Sequence, residues 1–553
     1  MDAAVATPDD PGEGAAATGW AGVRERLWLP FVQALEPADS QYFITRIAFL
    51  RALGAIYAVA FLALANQLLP LLGAGGLLPV HLYLDSLTAA ADSGSGGFWS
   101  APSLLWLGSS DSFMSVLAWL GFVLALALAC GYASVLLLAV LWILYLSFVN
   151  VGQLFYGYGW EILTLEAGFL AIFLCPGRRG WGSLERNLPD KAVIWLLRWL
   201  LYRVMFGAGL IKLRGDPCWW DLTCLVHHYE TQPLPSPLSW YLHQLPAWVH
   251  QGGVLFNHAV ELVAPLMIFG PRRLRAAGGG LIALFQVLLI LSGNLSWLNY
   301  LTLILCFTCF DDAHWCQVAR GLPSRARAAL IGWRQQLYEL HGSSPRITGR
   351  RRLVRYTLLV LIGYLSIDPI ANLVASRQVM NTSFDPLHLV NTYGAFGSVG
   401  KVRREVVLLG TQDQVISEST EWREYEFSCK PGDPMRRPCV IAPYQHRLDW
   451  QIWFAAMSDY RTQPWLVHLV YKLLHGNQAV AGLLEVNPFP SIPPRQIRAE
   501  LYEYQFTEFG EEGWWKRRRV GEYLPALRAD NPSLLRVIDS FRWPILDPPA
   551  RGN

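Results

Sequence analysis

Hydrophobic windows recur through the first two-thirds of the chain. Those at 43–69, 113–130, 133–150, 158–175, 192–213, 254–270, 278–292, 295–310 and 354–374 read as nine membrane-spanning helices, several shorter than the ~20 residues that a bilayer favours. The basic residues test this independently. No Lys or Arg occurs from Ala52 to Gly177. Arginines cluster instead at Arg24 and Arg26, at Arg178, Arg179 and Arg186, at Arg272, Arg273 and Arg275, and from Arg320 to Arg355. Nine crossings put every cluster on one side, which the positive-inside rule makes the cytoplasm; a miscount by one would break that agreement. Segments 70–112, 214–253 and everything after 375 then face away from the cytoplasm.

Beyond 375 the pattern changes. Alternating polar and apolar positions predict strands at 387–396, 402–409, 422–428 and 497–506, and helical spacing predicts helices at 448–457 and 465–475. The expected architecture is mainly α. A polytopic transmembrane bundle spans 41–375, with extracytoplasmic loops at 70–112 and 214–253, and an extracytoplasmic α+β domain follows at 376–553. The tail at 1–40 opens with an acidic, Ala/Gly/Pro-rich stretch and is expected to be disordered. It has no basic region followed by an apolar core, so the first span is expected to serve as an uncleaved signal. Residues 320–352 read as a basic amphipathic helix against the membrane surface.

Composition agrees with a membrane protein: 53% hydrophobic residues, 24 Trp and 16% charged. A net charge of +3 gives no reason to expect nucleic acid as a partner. There is no GxSxG, Walker A, GxGxxG or HExxH pattern, so neither a lipase nor a nucleotide-driven pump is indicated, and no cofactor or metal is expected.

The densest chemistry lies at 198–235, where a hydrophobic helix carries Arg198, Arg203 and Lys212 and then breaks into a loop rich in Cys, Trp, His and Pro. Charge inside a membrane is costly and is kept for a site or a helix pair. At ~1.5 Å per residue, Glu166 and Arg203 lie at similar depth, as do Glu161 and Lys212. The expected ion pairs are therefore Glu166–Arg203 and Glu161–Lys212, with Glu261 and His258 near the same level. They would act as structural glue or as the lining of a polar cavity for transport or chemistry. His227-His228-Tyr229-Glu230 reads as a metal site, an acid–base pair or a hydrogen-bonded turn. Adjacent histidines point apart, which disfavours the metal.

On the assigned topology Cys218, Cys224, Cys429 and Cys439 face an oxidising compartment. Cys218–Cys224 and Cys429–Cys439 are the natural pairs, with crossed pairing open. Cys306 and Cys309 form a CxxC within an apolar helix and read as core. Trp450, Trp453 and Phe454 share one helical face. With Trp219, Trp220 and Tyr229 they are candidates for binding a client polypeptide, the alternative being ordinary core packing. Asn381 heads a glycosylation sequon; Asn294 heads another in a tight, inaccessible turn.

Long stretches carry a resemblance: VNVGQLFYGYGWEILTLEAGFLAIFLCP, RWLLYRVMFGAGLIKLRGDPCWWDLTCLVHHYETQPLP, SGNLSWLNYLT, SRQVMNT, VNTYGAFGSV, YEFSCKPGDPMRRPC and RLDWQIWFAA. Through them the chain resembles the lipase maturation factor family of endoplasmic reticulum membrane proteins, over nearly everything from Phe43 to Tyr523. The resemblance implies a multi-pass protein with a luminal C-terminal domain that engages clients. Its implied role is to assist the folding and assembly of secreted, dimeric lipases, without catalytic residues. A bacterial source would place the protein in the plasma membrane instead. GAGLIKLRGDPCW is more distantly similar to the transmembrane domain of vitamin K-dependent carboxylases. That likeness would make Lys212 a catalytic base, with His227 and His228 as further candidates. Transport is the third alternative.

Overall fold

The computed structural model describes residues 40–546 apart from 93, 95, 176–188, 322, 326, 329–330 and 333–348. The arginines at 24, 26, 178, 179 and 186, the N-terminal 39 residues and much of the expected basic helix lie outside the described residues.

Each apolar window falls on a helix. Among the described residues five are long and apolar enough to cross a membrane: α1 (Phe43–Leu72), α2 (Asp111–Ala129), α5 (Lys191–Arg214), α9 (Arg272–Ser292) and Gly349–Val374, whose first part is α11 (Gly349–Leu365). The other windows form shorter helices: α3 (Val135–Val151), α4 (Gly159–Leu174), α8 (Ala247–His258) and α10 (Leu298–Cys306). Two short helices, α6 (Cys224–Thr231) and α7 (Pro237–His243), fold the 214–253 segment. Ser110, Ser134 and Asp190 cap α2, α3 and α5 by accepting from backbone N–H groups that the first turn leaves unpaired. On α2 one side is buried through Met114, Ala118 and Gly121, while Val116, Trp119 and Val123 face outward, as a lipid-facing helix requires.

Beyond the bundle lies a four-stranded antiparallel sheet in the order β2-β1-β5-β6, where β1 is Arg403–Thr411, β2 Arg423–Glu424, β5 Gln496–Phe506 and β6 Trp515–Leu527. A second sheet pairs β3 (Glu426–Phe427) with β4 (Leu484–Val486). Helices α12 (Arg447–Ala455), α13 (Pro464–Leu474) and α14 (Pro532–Ser540) complete this part.

Three expectations about this region need correction. Residues 387–396 form no strand and make only an isolated bridge, Ser383 with Asn391, because their backbone is drawn onto charged groups of the bundle. The expected strand at 422–428 is split between the two sheets. β6 went unread: its run Lys516-Arg517-Arg518-Arg519 has no apolar alternation, because basic side chains on both of its faces pair with Glu511, Glu424, Glu503 and Glu500.

Candidate functional site

The charges inside the bundle organise the site. Glu166 on α4 and Arg203 on α5 pair directly, the partnership expected from their depth. The tail closes over them. The Glu166 carboxylate accepts from Asn391 N (3.0 Å), Asn391 Nδ2 (3.0 Å) and Tyr393 OH (2.8 Å), while Arg203 donates to Asn391 O (2.6 Å). Gly207 makes this approach possible: a Cβ there would lie 2.5 Å from Tyr393 O.

The second expected pair, Glu161–Lys212, does not form. Glu161 is fully buried and holds Arg447 of α12 at 2.7 Å, with Tyr145 OH and Trp160 Nε1 donating to the same carboxylate. Arg447 also donates to Phe155 O (2.6 Å) and stacks on the Tyr156 ring at 3.6 Å. Lys212 instead meets Glu261 (2.5 Å) and Asn257 Oδ1 (3.2 Å), 5.0 Å from the Trp219 ring. Equal depth does not determine which neighbour lies alongside, and Arg447 arrives from more than 280 positions away. Glu261 sits in a π-helical turn, Ala259–Val263, that continues α8 just before Pro265. One extra residue per turn in such a bulge re-aims the side chains it carries.

Above these pairs the loop is tightly held. Cys218–Cys224 and Cys429–Cys439 are both disulfide-bonded. His228 is buried edge-on to Phe396 at 4.8 Å; burial, and then Lys212 nearby, lower its pKa to about 4, so it is neutral at physiological pH. Arg403 of β1 is fully buried and donates to Glu230 O (2.8 Å), Gln232 O (2.5 Å) and Pro233 O (2.9 Å) while pairing with Glu405. Glu230 Oε2 accepts from Phe506 N (2.8 Å) and lies 3.7 Å from His243 Nε2. Around this seam opens a cleft of ≈ 630 Å³, lined from the loop by His227, Glu230 and His243 and from the sheet by Lys401, Phe506 and Phe509. Burial lowers the pKa of both His227 and His243. Among the described residues no cluster of three or more His, Cys, Asp or Glu is placed to hold a metal ion.

The aromatic candidates divide. Trp219 and Trp450 are buried, so neither is a surface for clients. Trp450 packs on Trp160 (4.9 Å), and Trp453 Nε1 donates to Thr231 O (3.2 Å). The α12 face that carries Trp450, Trp453 and Phe454 thus fastens the tail to bundle and loop. Tyr229 is half-buried, and Trp220 alone of the six is freely exposed. An aromatic group that sequence reading missed lies beside the cleft, where Trp240, Tyr241, Phe509 and Trp514 meet edge to face with Tyr241 and Phe509 half or more exposed. Its members come from segments far apart in the chain, which no local pattern connects. Asn381 is exposed, whereas Asn294 is buried and bonds Leu234 O, Cys439 O and Ile441 N. Cys306 and Cys309 are core.

Comparison with known proteins gives this arrangement a lineage. Residues 44–317 match the lipase maturation factor transmembrane domain, and residues 389–525 match the lipase maturation factor C-terminal domain. The chain is 45% identical to lipase maturation factor 1 of Mus musculus, covering 94% of each chain. It is 43% identical to that of Homo sapiens, covering 92% of this chain and 91% of the relative. Against lipase maturation factor 2 of Gallus gallus the identity is 33%, covering 88% and 82%. No solved structure matches. With two domain models in register and relatives aligned across nearly the whole length, the chain belongs to the lipase maturation factor family.

Proposed function

We propose that this protein is a membrane-bound maturation factor that helps secreted lipases to fold and assemble, acting by binding and not by chemistry. The observation that carries this reading is the seam. Arg447, Arg403 and Asn391 of the C-terminal part each reach buried partners in the bundle or its loop, which makes bundle and tail one platform with a cleft and exposed rings at the join. Buried charge pairs of this kind hold a geometry firmly, because separating one partner leaves an unpaired charge. The names of the relatives supply the client class. In this reading the tail and the 214–253 loop lie in the lumen of the endoplasmic reticulum, Asn381 is available for glycosylation, and clients leave once assembled. In this reading Lys212 is a structural charge, held by Glu261 and Asn257.

The test is complementation. In cells lacking the factor, the chain should raise the activity per mass of a secreted lipase, with little change in its synthesis. Replacing Lys212 and Glu261 together by Met should leave that rescue largely intact; its abolition, with the protein still folded, would favour an enzyme. Protease added outside sealed vesicles should spare a C-terminal tag; its digestion would overturn the sidedness.

A further inference from the structure

β6 is the last strand of its sheet and is unusually open. It is 13 residues long, about 43 Å at the usual rise. Trp514 N and Trp515 N donate to Pro434 O, so the Cys429–Cys439 loop covers the start of its outer edge. From Lys516 to Leu527, among the described residues, its backbone bonds only to β5. The outer row of N–H and C=O groups is therefore free, and such a row is a template for another strand.

The side chains on this edge select what can pair there. Register puts Lys516 and Arg518 beside Gln505 and Glu503 on one face, and Arg517 and Arg519 beside Tyr504 and Tyr502 on the other. Arg518 is 80% exposed and Lys516 49%. Their pairs with Glu503 and Glu511 lie at the solvent edge and are readily exchanged. Four successive basic residues prevent two copies of this edge from pairing with each other. The same charges favour a strand with carboxylates at every second position. The half-exposed ring of Tyr241 on α7 and the exposed ring of Phe509 meet Trp514 at the β5–β6 turn and offer an apolar anchor at the end of that track.

We propose that β6 is a strand-addition site: an extended acidic segment of the client polypeptide pairs with its outer edge from Lys516 to Val520 and sets an apolar residue on the neighbouring rings. The inference rests on the maturation role above and names the feature of the client that the platform grips. An incompletely folded lipase offers unpaired strands, and the paired, covered strands of the folded enzyme do not, so release on completion follows from the same geometry.

The test uses the full chain in detergent and a fluorescent octapeptide of alternating Glu and Val closing on Phe, read by anisotropy. It should bind, and two control peptides should each weaken binding at least about tenfold: one with Lys for Glu, and one N-methylated at alternate backbone nitrogens with its charge unchanged. K516E/R518E should weaken the parent peptide similarly. Equal binding of the N-methylated peptide would overturn strand addition, and equal binding of the Lys peptide would overturn the charge selection. If wild type restores lipase activity and K516E/R518E does so equally well, this inference fails while the maturation role stands. If wild type itself restores none, the role fails first.

Discussion

The same residue types serve opposite ends at the seam and on β6. Arg447 meets Glu161 with both side chains fully buried, ringed by Tyr145, Tyr156 and Trp160. Arg518, 80% exposed, meets Glu503 at the solvent edge of the sheet. In the first setting each ion has surrendered its water and depends on its partner; in the second, water replaces the partner at little cost. Geometry is held where charge is buried, and exchange is possible where charge is wet. A maturation factor needs both: a platform that does not yield and a surface that lets go.

Breaking the buried side should have the largest effect. Arg447→Met strands Glu161 and should cost about 3–5 kcal/mol, read as a lowered midpoint in thermal unfolding of the detergent-solubilised protein. Adding Glu161→Met should recover much of the loss. Asn391→Ala removes one hydrogen bond to the Glu166 carboxylate and should cost about 2 kcal/mol in the same assay.

Acid should loosen the seam by a smaller amount. His388 bonds Asn150 Oδ1 at 2.7 Å, and burial holds its pKa at about 4; His468 bonds Leu77 O at 2.7 Å, and burial, then Lys472, lower its pKa to about 3. Unfolded, each would titrate near 6.5. Between those values the unfolded chain binds the extra protons, so stability is full above about pH 6.5 and falls as pH drops toward 4. At pH 5.5 each histidine should remove on the order of 1 kcal/mol, and His388→Gln should flatten part of that dependence. Least affected should be the wet side: Arg518→Ala should change stability by less than about 1 kcal/mol, while weakening peptide capture.

Several of these features can be read from sequence for a plain reason. Span windows register because lipid demands long apolar runs, and Glu166–Arg203 registers because both charges sit on neighbouring antiparallel helices at one depth. Equal depth also matches Glu161 with Lys212, yet the two do not meet, because lateral position and a partner from the tail leave no periodic trace. The helix with Trp450, Trp453 and Phe454 was correctly placed, yet its aromatic face turned out to be mortar. Composition marks a ring as apolar and says nothing of what covers it. The cluster at Tyr241 and Phe509 could not be read at all, since its parts lie over 260 positions apart.

By itself, the sequence determined the apolar helices, the membrane class, the likeness to lipase maturation factors and which cysteines lie close enough in the chain to be natural partners. These are set by local runs and close spacings. Only the tertiary structure decided which charges meet, which rings are hidden and which strand is left open. Those outcomes depend on how distant segments compete for the same few buried partners, and no window along the chain contains that competition.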